Sequence, residues 1–198
     1  MQRIFFIARH GETDWNLARR WQGHTDIPLN ARGREQAAAL AERLRGLAVK
    51  IERVVTSDLA RARETGEIVA SCLGIPQLVS DAALRERCFG VFEGLTLEEC
   101  ESRYPEHWSS YRSEAKIPPP GAEPFEAVAA RMSEALNRLL VHDAASPNAL
   151  VIGHGGAMRA FLQSVSGATY PPLENAALFR FVHATTGFAD VTHISSSP

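Results

Sequence analysis

Apolar residues along the chain follow two rhythms. Short continuous runs, Ile4-Phe5-Phe6-Ile7-Ala8 and Ala149-Leu150-Val151-Ile152, are too short for helices and read as strands buried on both faces. Ile51 to Thr56 and Ile75 to Ser80 predict two more strands. Ala176 to Val182 and Phe188 to Ile194, joined through Thr185-Thr186-Gly187, predict an antiparallel hairpin at a sheet edge. Between the strands the period changes to three and four. Ala37, Leu40, Ala41, Leu44 and Leu47 form one stripe, with Asn30 as the N-cap and Gly46 as the stop. A second helix, capped by Ser57 or Asp58, runs to about Gly74. The longest one takes Pro124 as its first helical position and buries Phe125, Val128, Ala129, Met132, Leu136, Leu139 and Leu140. A last helix covers Ala157 to Ser166 and is stopped by Gly167.

This alternation predicts an α/β fold: a three-layer α/β/α sandwich whose central sheet is mostly parallel, with an antiparallel edge. Two stretches lack a period. Asp14 to Asp26 is polar and irregular, with Trp15 and Trp21 embedded, and Leu84 to Gly94 carries too many glycines for a regular element. Thr96-Leu97-Glu98-Glu99 fits a capping box that opens a short helix. Tyr104-Pro105 interrupts it before a second short helix from Glu106 to Arg112. The proline run at Ile117 to Gly121 is too short to divide domains. Residues 1–198 therefore read as one domain, with 100–121 as an insertion shielding a site.

The polar residues at the strand ends change the picture more than composition does. The first strand empties into Arg9-His10-Gly11-Glu12-Thr13, and the fourth into Gly153-His154-Gly155-Gly156. Open α/β sheets bind ligands beyond the carboxyl ends of their strands, and glycines let a backbone approach a ligand closely. One histidine in that setting is unremarkable; two in matching settings, one beside an arginine, point to a shared site. Arg61 falls in the first turn of its helix, where the macrodipole disfavours a cation unless an anion binds beside it. Arg9, His10, Asn16, Arg61, Glu86 and His154 together make a phosphoryl site. Two guanidinium groups clamp a tetrahedral dianion. A neutral His10 attacks phosphorus, and nearby Arg9 and Arg61 lower its pKa. His154, if protonated, can donate to the equatorial oxygens, Glu86 is the candidate to protonate the leaving alkoxide, and Asn16 could add a neutral donor.

These residues resemble the histidine phosphatase superfamily, whose fold is called phosphoglycerate mutase-like. Arg9-His10-Gly11-Glu12-Thr13 looks like its signature. Ser57 to Thr65, Leu84-Arg85-Glu86 with Phe89-Gly90 and Glu93-Gly94, and Gly153-His154-Gly155 resemble its other blocks in order, across nearly the whole chain. The resemblance implies a phosphorylated nucleophile at His10, a phosphate pocket completed by Arg9, Arg61 and His154, and a proton donor at Glu86. It also implies that Asn16, Gln22, Gly23 and Gly155 line the substrate side. The activity implied is a histidine acid-type phosphatase acting on a small phosphorylated metabolite through a phosphohistidine, with no metal and no cofactor. A cofactor-dependent phosphoglycerate mutase is the alternative. The compact chain, ending at Pro198 soon after the hairpin, and the Phe89 to Gly94 version of the donor block favour the phosphatase branch, whereas Lys116 could recruit a carboxylate as basic residues there do in mutases.

The remaining composition sets bounds. The chain has 198 residues, 45% hydrophobic and 22% charged, with a formal net charge of -2, which gives no bulk attraction to nucleic acid or anionic membrane. No apolar stretch reaches membrane-spanning length and no signal peptide precedes the first strand. Cys72, Cys88 and Cys100 show no paired-ligand spacing, and an odd count fits the cytoplasm. A homodimer is compatible with the sequence. Two rival classes are a metal-dependent hydrolase built on His10, His154, Glu86 and Asp58, and a catalytically silent phospho-ligand module. The first lacks any short ligand spacing, and the second does not fit the intact His10, Glu86 and arginines. Trp15 and Trp21 read as packing residues and Glu12 and Arg63 as surface or ion-pair residues, Cys88 lies beside Glu86 with no sign of reactivity, and His24 sits near enough to the mouth to touch substrate.

Overall fold

The computed structural model describes residues 3–113, 117–141, 148–184 and 187–195. Its strands are β1 (Arg3–Arg9), β2 (Arg53–Thr56), β3 (Leu78–Ser80), β4 (Ala149–Gly153), β5 (Leu178–Ala184) and β6 (Gly187–Ile194). Its helices are α1 (Asp14–Leu17), α2 (Ala31–Arg45), α3 (Ala60–Leu73), α4 (Leu97–Arg103), α5 (Pro105–Arg112), α6 (Phe125–Leu136) and α7 (Gly155–Ser166). The strands form one sheet in the order β3-β2-β4-β1-β5-β6. The first four pair in parallel, and β5 and β6 add antiparallel at one edge.

The continuous apolar runs are explained by what covers them. Successive residues of a strand face opposite sides. Phe5, Ile7 and Val151 join α6 and α7 in one core, and Phe6, Ala8, Leu150 and Ile152 join α2 and α3 in the other. This is the three-layer sandwich the pattern predicts. A third, small cluster of Phe89, Phe92 and Cys100 packs with Trp21, Tyr104, Trp108 and Tyr111, so the segment around α4 and α5 carries its own aromatic core.

The boundaries differ in instructive ways. β3 is only three residues, at the exposed edge, and β2 begins at Arg53 rather than Ile51. Neither Ser57 nor Asp58 caps α3 with a side chain; Leu59 holds the cap position, and Asp26 from the loop after α1 accepts the Ala60 N–H at 2.7 Å. Asp58 is instead paired with Arg85 at 2.6 Å. Pro124 is the cap of α6, not its first helical residue, and α6 ends at Leu136 in a wider turn over Asn137–Val141. The region after β1 is not wholly irregular: Thr13 and Asn16 close a capping box around the one turn of α1. Lys116, Thr185 and Thr186, and the side chain of Leu140, lie outside the described residues.

One close approach fixes the first motif. A Cβ on Gly11 would lie 2.3 Å from the carbonyl oxygen of Gly33, and one on Gly33 would lie 2.1 Å from that of Glu12. The loop after β1 is thus pressed backbone to backbone on the first turn of α2. Asn30 Nδ2 donates to Glu12 Oε1 at 2.9 Å, and the Glu12 N–H to Gln36 Oε1 at 2.8 Å. Alanine in a helix gains about 1 kcal/mol over glycine, but overpacking against backbone that cannot rotate away costs about 1–3 kcal/mol and more at such distances. Gly33→Ala should therefore lower the urea midpoint, whereas Gly46→Ala, whose nearest neighbour would be at 3.5 Å, should not. A Gly33→Ala protein as stable as wild type would show that the loop is free to withdraw from α2.

Candidate functional site

The site follows from strand pairing. β1 and β4 are neighbours with Arg9 opposite Gly153, and the His10 N–H donates to the Gly153 carbonyl at 3.0 Å. His10 and His154 therefore leave the sheet side by side, with ring centroids 5.2 Å apart, both buried. Their partners set their tautomers. His10 Nδ1 lies 2.6 Å from the Gly11 carbonyl, which can only accept, so Nδ1 carries the proton and Nε2 keeps its lone pair. Arg61 Nε donates to His154 Nδ1 at 3.2 Å, so that ring carries its proton on Nε2, a buried atom without a partner among the described residues. Burial is the largest cause pushing the His10 pKa well below its ordinary value, with the cations of Arg9 and Arg61 adding to it. For His154 the order is burial, then Arg61, His10 and Arg9. This shift disfavours a protonated His154, and the neutral ring still presents an N–H donor on Nε2. For His10 the direction is as expected, but desolvation outweighs the arginines.

Arg61 is fully buried in the first turn of α3. Its other nitrogens donate to the carbonyls of Thr25 and Gly23, each at 2.8 Å. Burial lowers its pKa to about 10, which leaves it a cation at neutral pH. Gly23 has φ of +50°, and a Cβ there would collide with Glu93. The Glu93 carboxylate accepts from the N–H groups of His24 and Phe89 and so ties the Gln22-Gly23 loop to the donor block. Arg9 donates through Nη1 to the Leu173 carbonyl at 2.6 Å, while its Nε is buried without a partner among the described residues.

Glu86 reaches the N-terminus of α7. Its Oε1 accepts from the N–H groups of Arg87 (2.7 Å) and Ala157 (2.8 Å), and its Oε2 from that of Gly156 (2.9 Å). A Cβ on Gly156 would lie 2.6 Å from Oε1, so glycine makes this approach feasible. Behind it, the Glu86 carbonyl accepts from His24 Nε2 at 2.8 Å and Arg131 Nη2 at 2.9 Å. Arg131 also binds the carbonyls of Ala83 and Arg85 and the Glu123 carboxylate, which pins the whole donor segment.

Arg9, His10, Asn16, Gln22, Gly23, Arg61, Glu86 and Gly155 line one cavity of about 670 Å³, with His154 stacked edge-on to His10. All nine sequence-predicted site residues come together. Asn16 Oδ1 is occupied by Thr13 and by Asn175 Nδ2. His24 supports the Glu86 backbone, and Lys116 lies outside the described residues. The Cys88 thiol is pushed up by burial; Arg63 is on the surface beside Glu67, as expected, and Trp21 packs on Phe89 but also lines the cavity. Sequence reasoning missed Thr65, which accepts from the Gly11 N–H at 3.1 Å, and Asn175, which donates to the His10 carbonyl at 3.1 Å. It also missed the Arg131–Glu123 pair. Thr65 falls inside a quoted block and was readable; Asn175 and Arg131 carry no local signal. Among the described residues no group of three or more His, Cys, Asp or Glu is arranged to hold a metal, and no helix is long and apolar enough to cross a membrane.

Comparison with known proteins agrees with this geometry. The family model for the histidine phosphatase superfamily (branch 1) matches residues 5–192. The chain is 36% identical to the uncharacterized phosphatase PhoE of Bacillus subtilis, over 93% of this chain and 88% of that one. It is 34% identical to a metal-independent phosphoserine phosphatase of Arabidopsis thaliana, over 96% and 82%. Among solved structures, a mycobacterial glucosyl-3-phosphoglycerate phosphatase in complex with VO3 superposes with a TM-score of 0.83 at 26% identity, over 98% of this chain and all of that one (100%). With the fold, the paired strand-end histidines and a family match spanning almost its full length, this chain belongs to the histidine phosphatase superfamily.

Proposed function

We propose that the protein is a phosphomonoesterase that hydrolyses a small phosphorylated metabolite through a phosphohistidine on His10. One observation carries the reading: the Gly11 carbonyl holds the Nδ1 proton of a buried, neutral His10 between two guanidinium groups, which leaves Nε2 as the nucleophile. The phosphoryl group transfers from the ester oxygen to Nε2. Arg9 Nε–H and His154 Nε2–H, buried and without partners among the described residues, supply donors for its oxygens as charge builds. Protonated Glu86 gives its proton to the leaving alkoxide. The resulting carboxylate then takes a proton from the water that attacks phosphohistidine, so the cycle returns Glu86 to its starting form. Relatives named as phosphatases support hydrolysis over a phosphoglycerate mutase. Measuring 3-phosphoglycerate isomerisation against phosphate release, with 2,3-bisphosphoglycerate present, decides between them. The free cysteines support a cytoplasmic setting.

His10→Ala should lose at least about a thousandfold in kcat, the scale of losses for covalent catalysts, while keeping its fold by circular dichroism. Rapid quench of the wild type should trap an acid-labile, base-stable phosphate on His10. Substantial turnover in the variant would remove His10 from the nucleophile's role.

The pH behaviour follows from the direction of the His10 shift. A pKa held below the ordinary value of about 6.5 keeps the ring neutral as pH falls through that value, so attack persists into the acid range, as in an acid-type phosphatase. Nuclear magnetic resonance of the free enzyme should show neither His10 nor His154 titrating around pH 6.5. A His10 midpoint at or above 6.5 would contradict a nucleophile held neutral by burial.

Glu86→Gln should slow alkyl phosphates far more than an activated aryl phosphate, because only the poor leaving group needs a proton. Equal losses on the two substrates would make Glu86 a structural group at the α7 N-terminus instead of the acid.

A further inference from the structure

Asn16 reaches the cavity from the least supported element of the site. α1 is a single turn of four residues, none of them buried, and a helix that short has little stability of its own. The orientation of the Asn16 carboxamide is nonetheless determined. One corner of it accepts from the Thr13 N–H at 3.1 Å, and a backbone N–H can only donate, so this corner is Oδ1. Thr13 Oγ1 and Asn175 Nδ2 donate to the same oxygen at 3.1 Å and 3.2 Å. Asn16 Nδ2 takes the opposite corner and makes no hydrogen bond among the described residues. The two Thr13 contacts lie within α1 and its cap, so they turn the amide without fixing its distance from the nucleophile. Asn175 does fix it. The same Nδ2 gives its other hydrogen to the His10 carbonyl at 3.1 Å, so one amino group spans Asn16 and His10.

The backbone that presents Asn175 is unusual. Ala176 is buried with φ of +58°, a region that L side chains rarely enter. Its N–H donates to the His10 carbonyl at 3.4 Å, and its carbonyl accepts from Arg43 Nη1 at 3.1 Å. The Arg9 N–H donates to the Ala177 carbonyl at 3.0 Å, so the turn before β5 is stitched to both Arg9 and His10. Backbone strain of this kind persists only where the surroundings over-determine it, and it gathers at functional sites. We propose that Asn175 is a positioning residue: it holds the Asn16 carboxamide in register with His10, so that Asn16 Nδ2 meets the phosphoryl oxygens as His10 Nε2 attacks. Asn175 is not part of the cavity wall and acts through Asn16. The inference rests on the phosphatase reading, since it takes His10 Nε2 as the attacking atom.

The test is a double-mutant cycle on Asn16→Ala and Asn175→Ala, read with an activated aryl phosphate. Asn16→Ala should lose about 10- to 100-fold in kcat/KM, the scale of one hydrogen bond to a charged group. Asn175→Ala should lose at least about fivefold, because a displaced donor forfeits much of its bond. The double variant should be no slower than Asn16→Ala alone. A residue that merely braced the turn would multiply the two losses. Multiplied losses, or wild-type kinetics in either single variant, overturn the proposal. Nuclear magnetic resonance reads the same bridge in the wild type, whatever the variants do to the fold. Orthovanadate should shift the Asn16 side-chain N–H pair while the Asn175 pair stays protected from solvent exchange. An Asn16 pair that ignores the anion, or an Asn175 pair that exchanges freely, rejects the role. If no ester is hydrolysed, the phosphatase reading has failed instead, and calorimetric binding of orthovanadate to the wild type and the three variants gives the same cycle. Weaker binding in each single variant with no further loss in the double upholds the positioning role; unchanged binding or multiplied losses reject it.

Discussion

The pairing of β1 with β4 is the constraint on which everything else at the site depends. Because Arg9 lies opposite Gly153, two histidines separated by most of the chain are delivered to one point of the sheet edge. A shift of one residue would turn Arg9 inward or outward and exchange the faces of every residue on β1. Such a shift is blocked by the two cores, since Phe5 and Phe6 are each fitted to a different helical layer. The precision of the catalytic geometry is therefore a by-product of ordinary sandwich packing. The loops add only the last contacts: Thr65 on Gly11, Asn175 on His10, and α7 on Glu86.

The electrostatic character of the centre comes from how its cations are held. Arg61 is anchored by carbonyls and an imidazole, Arg9 by a carbonyl, and neither has a carboxylate within ion-pair distance among the described residues. Carbonyl dipoles orient a guanidinium without cancelling its charge, which leaves the field available to an incoming anion. The same field, with burial, keeps both imidazoles neutral. Neutrality gives His10 its lone pair and gives His154 a donor without adding charge. Order in the ligand-free protein thus serves as preorganisation, because no carboxylate has to be displaced from Arg9 or Arg61 when phosphate enters.

Which parts of this were legible in the sequence follows a physical rule. Strand-end motifs were readable because a buried apolar run that stops at Arg9-His10-Gly11 or Gly153-His154-Gly155 announces both its element and its exit. Arg61 was readable from its unfavourable place in a helix first turn. The cap of α3 was not, because the acceptor, Asp26, comes from a distant loop and the local candidate Asp58 is drawn off by Arg85. Asn175 and Arg131 were hidden for the same reason: they bond backbone carbonyls of remote segments, and such bonds leave no period and no spacing. The end of α6 was overextended because Leu139 continues the apolar stripe while the backbone opens into a wider turn. The neutral state of His154 depends on burial and on the contact of Arg61 with its ring, and a contact between residues so far apart in the chain has no signature in residue order.

The position of β1 in the sheet also shapes the order in which the protein can be made. Its two neighbours are β4 and β5, so Phe5 waits for Ala149 on one side and for Phe181 on the other. During synthesis β1, an apolar ribbon with both edges open, has no partner until β4 (Ala149–Gly153) has been made. Helices and the β2–β3 pair can form before it, but the sheet cannot close around them. The central strand that leads into His10 is therefore left open to wrong pairings for a long stretch of synthesis, and the growing chain depends on shielding of β1 until β4 arrives.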